Sequence, residues 1–152
     1  MMHRLILLLT LLCAFSVRSQ AQDEVLQKYT EMGDVNTTYV SKGMLQSVPL
    51  DQFGVPGLSD MASRIDQMKV LVSRGDKAGK QMGTKLPKQL MSHGFEQKFT
   101  TTAPDGSHIR MLQSRLDPSR VVMVVYQKPH ATVVSMKGDF STASLGELIP
   151  AE

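Results

Sequence analysis

The side chains best suited to acid–base or ligand chemistry are Asp60, Asp66, His93, His108 and His130. A hydrolytic or metal site needs its acids and bases within reach of one reacting atom. The spacing does not provide this. No two of these histidines stand at i,i+2 or i,i+4, and none shares an element with a carboxylate at ligand spacing. Isolated histidines are ordinary surface residues. No Gly-rich phosphate loop, nucleophile elbow or Ser-His-Asp context is found, and Ser41 and Ser135 read as plain strand hydroxyls. The expectation is a non-enzymatic chain: no catalytic residue, no metal ligand and no cofactor.

Methionine is the other candidate ligand. Of 11 methionines, Met1 and Met2 precede the folded part, which leaves 11 − 2 = 9. Thioether sites for soft copper need several Met together. Along the chain the closest remaining pair is Met61 and Met68, so Met is expected to act as flexible core filler. Asn36-Thr37-Thr38 matches the acceptor pattern for N-glycosylation, and an exposed loop or strand edge is the simpler account of it.

The first residues point to export. MMHRLILLLTLLCAFSVRSQAQ has a basic start (His3, Arg4), an apolar run Leu5–Val17, and small residues at Ser19 and Ala21. This is the layout of a secretory signal peptide cleaved after Ala21. The apolar run is shorter than the roughly 20 residues that span a bilayer. Cys13 lies inside the run, preceded by Leu12 rather than a small residue, so it is assigned to the discarded segment and not to a lipid anchor. The expected mature domain, 22–152, then has no cysteine, which excludes disulfides and thiolate chemistry. It is not expected to be an integral membrane protein after cleavage.

Charge narrows the partners further. Removing Arg4 and Arg18 leaves 17 − 2 = 15 basic against 14 acidic residues, a net of +1. Trp is absent and no basic stripe with interleaved aromatics occurs, so nucleic acid is not an expected partner.

These residues are carried by alternating elements. Val25, Leu26, Tyr29 and Met32 recur at helical spacing over 23–33. NTTYVSKGML (36–45) is β-branched and reads as a strand entering a bend. The Pro- and Gly-containing stretch 46–62 reads as a loop with a helical turn near 58–62. IDQMKVLVS (65–73) is a strand with Met68, Val70 and Val72 on one face. Over 76–94, Met82, Leu86 and Leu90 fall at four-residue spacing and Asp76 is placed as the N-cap. Gly79, Gly83 and Pro87 argue for a kink or a second short helix, and Gly94 for the stop.

Four strands follow, 95–103, 107–115, 120–127 and 131–138. The turns between them are Pro104-Asp105-Gly106, Leu116-Asp117-Pro118-Ser119 and Lys128-Pro129-His130. Residues 139–149 end in a short helix. The stretch VVMVVYQKPHATVVSMKGDF (121–140) holds a His, two Lys and an Asp, and raises the choice between a site and a buried hairpin. Strand 121–126 is apolar on both faces, so it belongs mid-sheet as half of a hairpin. Its neighbours alternate, with Ile109 and Met111 inward against His108 and Arg110, and Val134 and Met136 inward against Ser135 and Lys137. The expected class is α+β: an antiparallel, meander-containing sheet with helices mainly on one face.

The series DEVLQKYTEMGDVNTTYVSKGML, IDQMKVLVS, a helix, a PDG hairpin and VVMVVYQKPHATVVSMKGDFSTASLGEL resembles the DUF4252 family, small exported proteins found mainly in Bacteroidota. TTYVSKGML (37–45) and VVSMKGDFSTASLGEL (133–148) carry the resemblance most clearly. It implies a cell-envelope protein in the periplasm, with no family catalytic residues to transfer, and a context near extracytoplasmic sigma factors and envelope stress. The resulting expectation is a non-enzymatic binding module for an envelope protein or ligand. The alternative is a small-ligand or lipid-binding domain, with a pocket between sheet and helices.

Overall fold

A computed structural model describes residues 24–45, 47 and 59–140. The expected signal segment, most of the 46–62 loop and the expected last helix (apart from Asp139 and Phe140) lie outside the described residues. The chain forms a six-stranded, fully antiparallel sheet with a few helices, an α+β fold.

The first helical residues, 24–30, are called α1. The strand β1 (Val35–Ser41) leads into one helical turn, α2 (Lys42–Leu45), and a 3-10 segment (Ser59–Arg64) precedes β2 (Ile65–Ser73). A continuous helical run then passes through α3 (Asp76–Lys80), a π-helical turn (Gln81–Lys85) and α4 (Leu86–Ser92). The remaining strands are β3 (Phe95–Thr102), β4 (His108–Ser114), β5 (Arg120–Gln127) and β6 (His130–Gly138). Across the sheet the order is β1-β2-β6-β5-β4-β3.

That order follows from the long connection after β2. The helical run leaves β2, touches β6 and β5, and ends against β4 and β3. It thereby delivers the chain to the far edge, and the meander β3 to β6 walks back to pair with β2. Ala78, Met82, Leu86 and Leu90 recur every four residues and are fully buried, which pins one stripe of the run to the sheet. Pro87 has no N–H to donate to the carbonyl of Gly83, and the wide π turn just before it absorbs the mismatch. The expected kink is therefore a widened turn within one run. Asp76 is its first helical residue rather than its cap, a position held by Gly75 with no side-chain bond.

Both faces of the sheet are apolar over much of their area. On the helix-covered face, Leu71, Val133, Val124, Val122, Leu112 and Phe95 pack with α1 and the helical run. On the other face, Met68, Val70, Val134, Met136, Val121, Met123, Ile109 and Met111 form a second core, with Leu45 and Phe140 buried against it. Strand β5, buried on both sides, is central as its composition requires. The inward residues of β4 and β6 face away from the main helices. Val72, expected beside Met68 and Val70, is 37% exposed. Among the described residues no helix is long and apolar enough to cross a membrane.

The turns follow their chemistry. Gly106 takes φ +89, which a side chain would disfavour. The N–H of Ser107 donates to the carboxylate of Asp105 at 2.9 Å. That bond holds the exposed Asp105 carboxyl below its usual range.

Candidate functional site

The register of four adjacent strands divides the helix-covered face into two ends. Four cross-strand rows run over β5, β6, β2 and β1. Two are mostly apolar and lie under the helical run: Tyr126–Ala131–Ser73–Val35 and Val124–Val133–Leu71–Thr37. The other two are polar: Val122–Ser135–Lys69–Tyr39 and Arg120–Lys137–Gln67–Ser41. In these two polar rows Val122 is buried, and the remaining side chains are exposed or half-exposed. The helical run does not cover them. With α1 they form a cleft of about 580 Å³, open to solvent, with Leu26, Phe95 and Val122 among its apolar lining residues.

Its chemistry is cationic in outline. Arg120 and Lys137 stand directly opposite each other, an arrangement that repels unless an anion intervenes. Asp117 supplies part of that charge, with its carboxylate 3.6 Å from the Arg120 guanidinium. The hydrogen bond from the Ser119 hydroxyl holds the Asp117 carboxyl below its usual range, and the Ser119 N–H and the charges of Arg120 and Lys137 add to this. Lys69 lies over the ring of Tyr39, with Nζ 5.2 Å from the centroid, a cation–π contact. Three cations thus face the cleft and its edge, with the Asp117 carboxylate beside them. Arg120, Lys137 and Lys69 can hold a phosphate or carboxylate, and the apolar wall can take a neighbouring hydrocarbon group.

The side chains singled out for chemistry do not meet here. Asp66 pairs with Lys42 at 3.4 Å on the surface. His93 ends α4, where Nδ1 lies 2.7 Å from the carbonyl of Gln89. His108 sits on β4 beside Thr102, and His130 opens β6 opposite Gln127. The side chain of Asp60 lies outside the description. Among the described residues no three His, Cys, Asp or Glu side chains group around a possible ion. In the stretch 121–140, Lys128 and His130 occupy one end of the hairpin and Lys137 and Asp139 the other.

Methionine corrects the reading by sequence gap. Met68 pairs with Met136, and Met111 with Met123, on one face of the sheet. Residues far apart in the chain are therefore brought together by strand pairing. All four are buried with Val70, Val121 and Val134, as core packing demands. Met44 and Met91 instead stand at the surface.

No local motif in the sequence marks the cleft residues as a site. The alternation of β2 and β6 does place Lys69, Ser135 and Lys137 on one set of faces. What the alternation lacks is the strand order, which sets β2 beside β6 and so joins the two sets.

No curated protein matches the chain, and no solved structure does. A family model described as "Domain of unknown function (DUF4252)" matches residues 29–148. That span begins in α1 and contains every strand and the whole cleft floor, and the chain belongs to the DUF4252 family.

Proposed function

We propose that the chain is a non-enzymatic binding module of the cell envelope, exported by its first 21 residues, and that the cationic cleft is its binding surface. The observation that carries this is the cross-strand placement of Lys69, Lys137 and Arg120 on the uncovered end of the face, beside Tyr39 and an apolar wall. The cleft is open, which suits a segment of an envelope protein bearing an acidic group beside an apolar one. Protein recognition at such surfaces draws on exposed aromatics and charge complementarity.

The test is a capture experiment from an envelope fraction with wild type and Lys69→Glu/Lys137→Glu. The wild type should recover a reproducible partner that the variant loses. Identical recovery by both, or nothing recovered by either, overturns the reading. The lipid alternative is favoured by the same cationic rim. It is separated by flotation with anionic and with zwitterionic vesicles: charge-dependent co-flotation of the wild type would move the assignment to an acidic lipid headgroup.

A further inference from the structure

The two edges of the sheet are protected unequally. β3 carries Glu96 and Lys98 and a register shift between Gln97 and Phe99, devices that stop a strand edge from pairing with another chain. β1 has none of these. Its sequence VNTTYVS holds no charge, no Pro and no Gly, and its pairing with β2 is unbroken from Val35 to Ser41. The N–H of Arg74 donates to the carbonyl of Asp34 at 2.7 Å, so Asp34 directs its polar backbone groups toward the β2 side. By alternation, Thr37, Tyr39 and Ser41 direct theirs outward. No described residue pairs with that outer side. Tyr39, 62% exposed, stands on it.

We propose that two copies of this chain pair antiparallel through β1, about a two-fold axis at Thr38, into one continuous sheet. An axis there sets Thr38 against the partner's Thr38, Thr37 against the partner's Tyr39, and Val35 against the partner's Ser41. One residue beyond the strand it sets Asp34 against the partner's Lys42, at both ends of the interface. Antiparallel registers that keep the faces aligned shift in steps of two residues. An axis at Tyr39 would place Lys42 against the partner's Asn36, and an axis at Thr37 would place Asp34 against the partner's Val40. Only the Thr38 axis, among these, matches acid with base. It also packs each Tyr39 ring on a β-branched residue, a favoured cross-strand pair. Lys42 already meets Asp66, but both are well exposed, and that pair is weak enough to share. The two-fold keeps both helix-covered faces on the same side, so the partner's Val35 and Thr37 border the cleft next to Ser41 and Tyr39. This inference does not depend on what the cleft binds.

The test places a cysteine on the axis. In the full chain with Cys13→Ser, Thr38→Cys sits at a non-hydrogen-bonded position. There the two Cα atoms lie about 4.5 Å apart, within the disulfide range of about 4.4–6.8 Å. Oxidation should give a covalent dimer on non-reducing gels. Asn36→Cys, displaced from its own copy by four residues or about 13 Å, should stay monomeric. Equal cross-linking of both variants, or of neither, overturns the proposal. Light scattering of the wild type should show a concentration-dependent dimer. Asp34→Lys should raise its dissociation constant about tenfold, and Asp34→Lys/Lys42→Glu should recover part of that loss. A wild type that is monomeric throughout, or a double variant no better than the single one, overturns it as well.

Discussion

One sheet face carries two opposite solutions at its two ends. Under the helical run the fit is so close that side chains are excluded. A Cβ on Gly79 would lie 1.8 Å from the carbonyl oxygen of Pro129, and a Cβ on Gly83 would lie 2.3 Å from the Tyr126 ring. The buried hydroxyl of Ser73 beside it accepts the N–H of Ala131 at 2.9 Å, so that group is already satisfied within the fold. At the other end the same strands present Lys69, Lys137, Arg120 and Tyr39 to solvent, with space above them. The difference teaches that close packing and solvent-facing charge are separated along the strands. Glycines and aliphatic residues fasten one half, and the half they leave uncovered is free to carry charge.

The sharpest way to break this comparison is at the closed end. Gly79→Ala forces a methyl group against backbone that cannot swing away, and overpacking of this kind costs about 3 kcal/mol. Urea unfolding should show that loss, while Gly43→Ala, with nothing within 4 Å of its added methyl, should change stability by less than about 0.5 kcal/mol. An equal response of the two variants would remove the close approach as the reason for Gly79. Gly83→Ala should cost less, about 1–2 kcal/mol, because its neighbour is a ring that can turn. Its cost should shrink further in Gly83→Ala/Tyr126→Leu, a non-additivity expected only of residues in contact.

The closed end was largely legible in the sequence and the open end was not, for a physical reason. The stripe Met82, Leu86, Leu90 is a local signal, since helical periodicity is written in residues three and four apart. Strand limits were legible for the same cause: Ile65–Ser73 and Arg120–Gln127 are bounded by local alternation and turns. Gly79 and Gly83 looked like defects in a helix because their neighbours, Pro129 and Tyr126, are supplied by a distant hairpin. The cleft depends on non-local pairing throughout. Lys69 and Ser135 are opposite each other only because β2 lies next to β6, and that adjacency is set by a long crossover, not by any short run of residues. The buried methionine pairs depend on the same non-local strand pairing.

At the open end the comparison predicts the reverse pattern, function without stability. Lys69→Glu/Lys137→Glu should leave the unfolding free energy within about 0.5 kcal/mol of wild type, since exposed charges contribute little. Partner capture by the same protein should be lost. A large destabilisation would mean that these lysines hold the fold, and the division between the two ends would be wrong.

The smallest effect sharpens the division most finely, because it concerns the carboxylate that pairs with Arg120 at the cationic end. The Asp117 carboxyl is held below the usual carboxylate range in the folded state, chiefly by the Ser119 hydroxyl. A group whose folded value is depressed contributes stability above the unfolded value and loses it as pH falls through the folded one. Unfolding measured from neutral pH down through the carboxylate range should therefore show wild type losing a small increment that Asp117→Asn never had. The group is about half-exposed, so solvent screening keeps the increment to roughly 0.5 kcal/mol or less. The difference between the two proteins should close at low pH, where wild type is protonated and resembles the amide. If instead the gap widened as pH fell, Asp117 would be serving as a proton donor to its neighbours rather than as the counter-ion that lets Arg120 and Lys137 stand side by side.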